Sequence, residues 1–333
     1  MYAFTGRILV TGGAGFIGSA LVNALNKEGL TNIHIADKLG TDEKWKNLVP
    51  LKFSDYMEAE ELLQQIKGTS RNPYSLILHL GACSSTTETD AAYLVKNNFD
   101  FTYELAQHAL HSQTRFVYAS SAATYGDGTQ GMDDKDPDIY KLRPLNMYGY
   151  SKHMFDKQAQ AKGWLKTITG LKYFNVFGPN ENHKDDMRSL VNKAFHQIEK
   201  RNRLELFKSH RPDYEHGMQT RDFLYIKDAV DMTLHVASKK DATGLYNLGS
   251  GQANTWIDLA NAIFSAMDRT PQIDFIDMPE AIREKYQYHT EADISKLRET
   301  GFDQEITPLA DAVKDYIQNY LMPGKHLGDE ELD

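Results

Sequence analysis

The chain has 333 residues, with 46 acidic and 37 basic side chains and a formal net charge of −9 at pH 7. This balance argues against a general affinity for nucleic acid or anionic membranes, but it leaves room for an anionic small ligand in a local cationic pocket. The one cysteine, Cys83, excludes an internal disulfide and a multi-cysteine metal site, and it suits a reducing compartment. No apolar run approaches the roughly 20 residues of a membrane span, so we expect a cytoplasmic protein without a signal peptide.

Short apolar runs alternate with helical apolar patterns along the first half of the chain. The pattern predicts strands at 7–11, 32–36, 48–53, 76–80, 116–120 and 172–175. Between them it predicts helices at 16–25, 58–66 and 90–111, and a further helix that contains Tyr148. Strands separated by helices of this length indicate an α/β fold with a doubly wound parallel sheet and right-handed crossovers.

A glycine-rich turn joins the first strand to the first helix. Residues Gly12 to Gly18 fit GxxGxxG from Gly12 and GxGxxG from Gly13, and Asp37 ends the second strand. This is the context of a dinucleotide fingerprint, in which glycines let the backbone approach a pyrophosphate and the carboxylate binds the adenosine ribose. The segment therefore predicts a Rossmann-type site for NAD or NADP.

The choice between these two cofactors stays open at the level of the residues. Asp37 favours NAD, because a carboxylate bonds a free 2′-hydroxyl and repels a 2′-phosphate. Lys38, Lys44 and Lys46 follow in the same loop. They fit a 2′-phosphate, or they are solvated surface charges, which is the commoner fate of a loop lysine.

Tyr148 and Lys152 are four residues apart, so a helix places both side chains on one face. A phenol has an ordinary pKa of about 10, and a nearby ammonium favours its ionised form. Bringing that pKa near neutrality takes roughly 4 kcal/mol. The pair predicts a tyrosine that moves a proton on and off a substrate hydroxyl, although a chance pairing on an amphipathic helix has the same spacing.

Small and hydroxylic residues follow two further strands. Gly81, Ala82, Cys83 and Ser84 follow the fourth strand, and Ser121 and Thr124 follow the fifth. These positions lie at the carboxyl edge where doubly wound sheets bind ligands. Ser121 and Thr124 are candidates to bond a reacting oxygen, or they cap the strand end; Cys83 is better explained as small packing than as a nucleophile.

Two cations in the second half are candidate ligand contacts. Lys184 is a second acid/base if it is desolvated and a surface lysine otherwise, and Arg221 can hold a diphosphate through two bonds. His108 and His111 share a helical face without a third ligand, so no metal site is predicted.

The alternation loosens after Pro179. Strands at 223–226 and 245–248 are expected to return to the main sheet, and 204–207 is a further short strand. Helices are expected at 187–200, 256–267, 294–300 and 309–320. We expect a dinucleotide-binding domain from 1–176 and about 221–250, a smaller α/β substrate domain from about 177–220 and 251–322, and a frayed acidic tail at 323–333.

The ordered motifs TGGAGFIG, HLGACSSTTE, YASSAATYG, YGYSK and YFNVFGPNENHK resemble the extended short-chain dehydrogenase/reductase superfamily. Within it, GACSSTTE, SSAATYG and the FNVFGPNENHK segment resemble the ADP-glycero-manno-heptose 6-epimerases of bacterial lipopolysaccharide core synthesis. The resemblance covers the chain except its acidic tail. It departs at Asp185 and Asp186, where those enzymes have a glycine and a small or hydroxylic residue, and in the Phe207–His210 segment.

The resemblance implies a redox epimerisation. A bound NADP, the cofactor we therefore favour over NAD, removes hydride from C6″ of the heptose and returns it to the other face of a transient ketone. Tyr148 serves one face and Lys184 the other, while Lys152 holds the nicotinamide ribose and lowers the pKa of Tyr148. Ser121 binds the reacting oxygen. The resemblance also suggests a homo-oligomer such as a pentamer.

The same resemblance implies two sets of binding residues. The expected cofactor contacts are Gly12, Gly15, Phe16, Ile17, Gly18, Asp37, Lys38, Lys44, Gly81, Ala82, Cys83, Ser84, Asn97, Lys152, Val176 and Lys184. The expected substrate contacts are Ser84, Thr124, Asn175, Lys193, Phe207, Arg221 and Tyr286. Two alternatives remain: an epimerase or dehydratase of UDP- or dTDP-sugars, and a dinucleotide-binding protein without catalysis.

Overall fold

The computed structural model describes residues 4–67, 72–135, 138–284 and 286–329. Its strands are β1 Arg7–Thr11, β2 Ile33–Asp37, β3 Asp55–Glu58, β4 Tyr74–His79, β5 Arg115–Ser121, β6 Thr169–Tyr173, β7 Asn175–Phe177, β8 Leu204–Phe207, β9 Thr220–Tyr225, β10 Gly244–Leu248, β11 Ala253–Thr255 and β12 Ile273–Ile276. Its α-helices are α1 Phe16–Lys27, α2 Ala59–Lys67, α3 Ala91–Leu94, α4 Phe101–His111, α5 Met147–Ala161, α6 Leu190–Arg201, α7 Ile226–Ser238, α8 Trp256–Ala266, α9 Glu280–Arg283, α10 Ser295–Glu299 and α11 Leu309–Tyr316. Among these residues, no helix is both long and apolar enough to cross a membrane.

The main sheet has seven strands in the order β10-β6-β5-β4-β1-β2-β3, and every pairing in it is parallel. The chain runs outward from β1 through β2 to β3 and then returns to β4 on the other side of β1. The connections leave the carboxyl ends of β1 and β4 in opposite directions, which opens a crevice at that edge. The expected doubly wound α/β fold is confirmed.

Helices cover both faces of this sheet, and each face has its own apolar core. Ile8 and Val10 of β1 pack on the side of α1 and α7, whereas Leu9 packs on the side of α4 and α5. All five residues of β2 and of β6 are buried. This continuous burial is the rule for parallel strands, since both of their faces lie under helices.

The strands after Pro179 confirm one expectation and correct another. β10 returns to the main sheet and pairs with β6. β9 does not return to it: it pairs with β7 and β11 in a separate three-stranded sheet, and β8 and β12 form a pair of their own. Both edges of β9 are occupied, one by β7 and the other by β11, so β9 has no free edge for the main sheet.

The predicted strand at 48–53 is also wrong. Residues Lys44–Leu48 form a 3₁₀ helix, and the strand that pairs with β2 comes later, at β3. Pro50 has no backbone N–H to give to a ladder. Asn47 is buried, and its amide donates to the carbonyls of Ala14 (3.0 Å) and Asn180 (3.1 Å) instead.

The predicted long helix over 90–111 is present, with a π-helical segment at Val95–Asp100 between α3 and α4. The expected frayed tail is ordered through residue 329. Leu327 is buried, its N–H donates to Asn180 Oδ1 (2.9 Å), and Gly328 lies against Pro50. The remaining four residues of that tail lie outside the described residues.

Candidate active site

A cleft of about 1810 Å³ lies along the carboxyl edge of the main sheet. It runs from the glycine turn after β1, past the ends of β4, β5 and β6, to β8 and β9. Most of the predicted site residues line it: Gly12, Gly15, Phe16, Ile17, Gly18, Asp37, Lys44, Gly81, Ala82, Cys83, Ser84, Ser121, Tyr148, Lys152, Asn175, Val176, Lys184, Lys193, Phe207, Arg221 and Tyr286. Lys38, Asn97 and Thr124 are not among its lining residues.

The glycine turn is shaped for close approach of a phosphate group. Gly12 has φ +69°, and a Cβ there would lie 2.7 Å from the backbone nitrogen of Gly81. Gly18 leaves no room for a side chain against the carbonyl of Gly12. No side chain caps the start of α1 at Gly15, so its first N–H groups are free to bond a pyrophosphate. These features fit a dinucleotide.

Asp37, the residue predicted to bind the adenosine ribose, has a carboxylate whose charge is already balanced by neighbouring groups. Asp37 is 8% exposed and accepts from the backbone N–H groups of Ala14 (2.8 Å) and Lys38 (2.7 Å). The ammonium of Lys44 lies 2.9 Å from its Oδ1. Because the negative charge is already balanced, Asp37 presents a weaker repulsion to a 2′-phosphate than an isolated carboxylate would.

The other lysines of this loop have partners away from the cleft. The ammonium of Lys38 lies 2.5 Å from Glu60 and 3.3 Å from Asn97 Oδ1. Lys46 pairs with Glu43 at 2.7 Å, with both side chains exposed. The predicted cofactor contacts of Lys38 and Asn97 are therefore not brought to the cleft, because Glu60 on α2 holds the Lys38 ammonium to the side.

Tyr148, Lys152 and Ser121 meet at the ends of β5 and α5. The side chain of Asn146 caps α5 by accepting from the N–H of Gly149 (2.8 Å), which places Tyr148 in the first helical turn. One turn later, the Lys152 ammonium donates to the carbonyl of Ala119 (3.0 Å). The Ser121 hydroxyl acts to lower the pKa of the Tyr148 phenol, so the two groups are neighbours. All three predicted residues line the cleft.

The titration of the two α5 groups is dominated by burial. Burial raises the pKa of Tyr148, and the neighbouring Ser121 hydroxyl opposes that rise. Burial lowers the pKa of Lys152 to about 8, although Asp156 acts in the other direction. The expected lowering of the Tyr148 pKa by Lys152 is not seen, because among the protein's own groups desolvation has the larger effect.

Lys184 lies in the 3₁₀ segment Asn182–Met187, which follows β7 along the chain. Its ammonium is 5.2 Å from the centre of the Phe16 ring. Burial lowers its pKa, and Glu181 opposes this shift. Lys184 is therefore half-buried in the cleft, and the direction of its pKa shift fits an acid/base role.

The segment that carries Lys184 is anchored by Glu181. Its buried carboxylate accepts from the N–H and the hydroxyl of Ser189, both at 2.6 Å. Directly after Lys184, Asp185 has φ +44°, a left-handed region that favours glycine. Asp185 therefore adopts this backbone shape at some conformational cost.

Arg221 is a buried cation at the far end of the cleft. It is 5% exposed, and its guanidinium stacks on Tyr286 (4.9 Å) and Trp256 (5.6 Å). It donates to the carbonyls of Thr220 (2.8 Å) and Gln287. Among the described residues no ion pair neutralises Arg221, and burial lowers its pKa. An unpaired buried guanidinium suits an anionic ligand.

The sequence did not identify Trp256 or Gln287 as parts of this pocket. Trp256 donates from its indole N–H to the Tyr286 hydroxyl (2.8 Å), which fixes both rings around Arg221. A lone tryptophan at the start of a predicted helix gives no sign of such a role, since its partner is 30 residues away.

Thr124, a predicted substrate contact, does not line the cleft. It is fully buried, accepts from the Lys172 ammonium (2.5 Å) and donates to the carbonyl of Ser121 (2.8 Å). Its one donor hydrogen is therefore used by the Ser121 carbonyl. Of the remaining substrate candidates, Ser84, Asn175 and Lys193 are exposed and Phe207 is half-buried.

Cys83 is held by its backbone. Its N–H donates to Asn98 Oδ1 (2.8 Å) and its carbonyl accepts from Asn98 Nδ2 (3.0 Å), while Asn98 also bonds the Ser151 hydroxyl on α5 (2.9 Å). Burial raises the pKa of the Cys83 thiol. A thiol with a raised pKa is a poor nucleophile, which agrees with the packing role expected from the sequence.

A comparison with known families matches residues 8–249 to the NAD dependent epimerase/dehydratase family. The chain belongs to this family. The match spans the main sheet from β1 to β10 and includes the glycine turn, Ser121, Tyr148, Lys152 and Lys184. A nicotinamide dinucleotide is the cofactor that the family's description names.

Individual members of the family give a narrower comparison. An ADP-L-glycero-D-manno-heptose-6-epimerase of Nitratidesulfovibrio vulgaris is 47% identical over 314 residues, 94% of this chain and 97% of that protein. The crystal structure of the Helicobacter pylori ADP-L-glycero-D-manno-heptose-6-epimerase superposes with a TM-score of 0.77 at 26% identity, over 95% of this chain and 96% of that one. These names support an epimerase function for the chain.

The family also contains enzymes with other sugars. A UDP-glucuronic acid 4-epimerase variant from Bacillus cereus, solved with UDP-4-deoxy-4-fluoro-glucuronic acid and NAD, superposes with a TM-score of 0.74 at 25% identity, over 94% of this chain and 99% of that one. The fold therefore accommodates nucleotide-sugars of more than one kind, and the choice among them depends on the pocket.

Proposed function

We propose that the chain is an NADP-dependent epimerase that inverts C6″ of ADP-glycero-manno-heptose through a transient ketone. The observation that carries this proposal is a pair of desolvated acid/base groups, Tyr148 and Lys184, on separate elements of one cleft. A simple dehydrogenase needs one such group. An enzyme that removes and returns hydride on two faces of one carbon has a use for two.

The protein's own groups account for the proton movements. When bound, an oxidised nicotinamide dinucleotide accepts hydride from the substrate carbon, returns it later and adds a positive charge to the site. Lys152 contributes a second positive charge one helical turn from Tyr148, and the Ser121 hydroxyl stabilises the phenolate. Tyr148 then accepts the proton of the C6″ hydroxyl, and Ser121 orients that oxygen.

The second half-reaction uses the other group. The ketone presents its opposite face, and the Lys184 ammonium donates a proton to its oxygen as hydride returns to carbon. Burial beside Phe16 lowers the pKa of Lys184, which makes it a better proton donor. One turnover moves one proton from Lys184 to Tyr148, and exchange with water restores both groups.

The preference for NADP rests on Lys44. Its ammonium, 2.9 Å from Asp37, reduces the repulsion of a 2′-phosphate and offers that phosphate a cation. We expect Lys44→Gln to lower kcat/KM for NADP-loaded enzyme relative to NAD-loaded enzyme by about 10-fold, the loss of one charge-assisted bond. Lys46→Gln is the matched control, since Lys46 is exposed and bonded to Glu43. Equal NADP preference in the Lys44→Gln variant and its parent would remove Lys44 from the choice of cofactor, and a parent that prefers NAD would contradict the NADP assignment.

The diphosphate of the substrate is assigned to Arg221, and its sugar to the neighbouring surfaces of Asn175, Lys193 and Phe207. We expect the purified protein to interconvert the two ADP-heptose epimers and to leave UDP- and dTDP-sugars unchanged. Turnover of a UDP-sugar with an untouched ADP-heptose epimer ratio would contradict the proposed substrate. Native mass spectrometry of the purified protein identifies independently which dinucleotide and which sugar it binds.

The remaining parts of the proposal concern the setting of the enzyme. We infer a homo-oligomer in the cytoplasm that serves lipopolysaccharide core synthesis, as the related heptose epimerases suggest. Size-exclusion chromatography with light scattering measures the oligomeric state, and a monomer under all conditions would contradict it.

A further inference from the structure

A buried ion pair lies beneath the cleft and takes no part in the mechanism above. Lys172 on β6 is 1% exposed and Asp156 on α5 is fully buried, with 3.5 Å between Nζ and Oδ2. The carboxylate also accepts from the hydroxyls of Tyr118 (2.8 Å) and Ser120 (2.7 Å) on β5. Neither charged group lines the cleft, so neither touches substrate.

Lys172 also contacts a residue of the turn that carries Ser121. Its ammonium donates to the hydroxyl of Thr124 at 2.5 Å, and that hydroxyl donates to the carbonyl of Ser121 at 2.8 Å. Thr124 and Ser121 belong to one tight turn, in which Ser121 also accepts from the N–H of Ala123 (3.1 Å). The Lys172 ammonium therefore fixes the Thr124 hydroxyl, and that hydroxyl in turn holds the backbone carbonyl of Ser121.

Asp156 connects the same pair to the catalytic helix. It lies one turn after Lys152 on α5, the helix that begins beside Tyr148. The series of contacts Asp156–Lys172–Thr124–Ser121 therefore joins the element that carries Tyr148 to the turn that carries Ser121. No other described contact of the Ser121 backbone carbonyl leads back to α5.

We propose that Lys172 and Thr124 are positioning residues, which hold the Ser121 turn so that its hydroxyl faces the Tyr148 phenol during the reaction. Their effect on turnover rests on the proposed epimerase function, whereas their effect on geometry does not. A catalytic hydrogen bond must be held closely, since a displacement of about 1 Å can cost ~100-fold in rate. A rigid buried contact below the turn meets that requirement.

Stability alone is a weaker explanation for this ion pair. Replacing a buried ion pair with well-packed apolar side chains is often neutral or stabilising, so a pair of this kind is weak support for a stabilising role. Burial lowers the pKa of Lys172 while Asp156 raises it, so the pair is retained against a desolvation cost. A role in fixing the geometry of the site gives the pair a reason to persist.

The test uses Thr124, because removing Lys172 would leave a buried carboxylate unpaired and threaten folding. Thr124→Val keeps the side-chain shape without the hydroxyl, and Thr124→Ser keeps the hydroxyl. Thr169→Val is the matched control: Thr169 is also fully buried, accepts from a cation (Arg115, 2.8 Å) and donates to a carbonyl (Ala242, 2.5 Å), but it lies at the amino end of β6.

We expect Thr124→Val to lower kcat by about 10- to 100-fold with KM unchanged, as loss of positioning does. Thr124→Ser should restore most of the parent kcat. Thr169→Val should show a comparable fall in melting temperature and an unchanged kcat. Parent kcat in Thr124→Val, or an equal loss of kcat in Thr169→Val, would overturn the proposal.

Crystal structures of the parent and Thr124→Val enzymes decide the positioning claim without reference to any sugar. We expect the distance between the Ser121 and Tyr148 oxygens to change by about 1 Å or more in the variant. An unchanged distance in Thr124→Val would overturn the inference whatever the substrate is. A parent enzyme inactive on ADP-heptose, with the two oxygens displaced in the variant, would support the positioning role and contradict the proposed substrate.

Discussion

Arg221 gives the sharpest prediction about ligand binding. A guanidinium has five N–H donors, and in the structure two of its bonds go to the carbonyls of Thr220 and Gln287. The remaining donors meet no carboxylate among the described residues. Two charge-assisted bonds to a diphosphate are worth about 1.5 kcal/mol each at the lower end, or roughly 3 kcal/mol together. This corresponds to about 100-fold in affinity.

We therefore expect Arg221→Met to weaken ADP binding by about 100-fold, measured by titration calorimetry. Arg221→Lys should fall between the parent and Arg221→Met, because an ammonium keeps the charge but loses the planar fork. The melting temperature of Arg221→Met should change little, since the lost bonds to two carbonyls are offset by removal of an uncompensated buried cation.

The control for this prediction is Arg211→Met. Arg211 also stacks on two tyrosines, Tyr214 (5.4 Å) and Tyr288 (5.1 Å), but it is exposed, is paired with Asp213 and does not line the cleft. ADP affinity should be unchanged in that variant. Parent affinity for ADP in Arg221→Met would refute the assignment of the diphosphate, and so would an equal loss in the control.

Three further predictions concern the acid/base groups and a buried histidine. Tyr148→Phe should retain cofactor but lose at least ~100-fold in epimerisation rate, the usual effect of removing an acid/base group. Lys184→Met should lose epimerisation yet still dismutate an aldehyde analogue, because that reaction needs one face only. Burial between Thr11 and Thr102 lowers the pKa of His79 to about 3. Stability should therefore fall as the pH drops below the unfolded value of 6.5, by roughly 2 kcal/mol at pH 5.

Each of these has an outcome that contradicts it. Unaltered turnover in Tyr148→Phe would remove the phenol from the mechanism, and equal loss of both reactions in Lys184→Met would indicate a binding role. For His79 the measurement is urea unfolding at pH 7 and pH 5 in the parent and in His79→Gln. The sign follows from the lowered pKa: above pH 6.5 neither state binds the proton, and below it the unfolded state binds it first. An identical pH dependence in the two proteins would contradict the assignment.

The parts of the site that the sequence predicts are those encoded by local spacing. The glycine turn requires residues within one loop, and Tyr148 with Lys152 requires one helical turn, so both are visible before any tertiary contact is known. The ends of β4 and β5 follow from the alternation of strands and helices, which correctly predicts the sheet and therefore its ligand-binding edge.

The parts that the sequence misses depend on contacts between distant segments. The bond between Lys172 and Thr124 joins residues 48 apart, and a threonine in a strand-end motif gives no sign that it faces inward. Asn47 gives no sign either that its amide will bond the carbonyl of Asn180, in a 3₁₀ helix where the sequence predicts a strand to follow. Nor does the sequence show that the N–H of Leu327 will bond Asn180 and so fix the tail that is expected to fray. Each of these contacts requires knowledge of what lies beside the residue in space.

Nuclear magnetic resonance of each ADP-heptose epimer in D₂O, with the purified enzyme and no added cofactor, tests the central claim most directly. We predict that both starting epimers reach the same mixture, that C6″ keeps its protium and that the bound dinucleotide shows no net oxidation or reduction. Deuterium at C6″ would show a proton abstraction at carbon instead of hydride return, and an epimer ratio that never changes would contradict the proposed reaction.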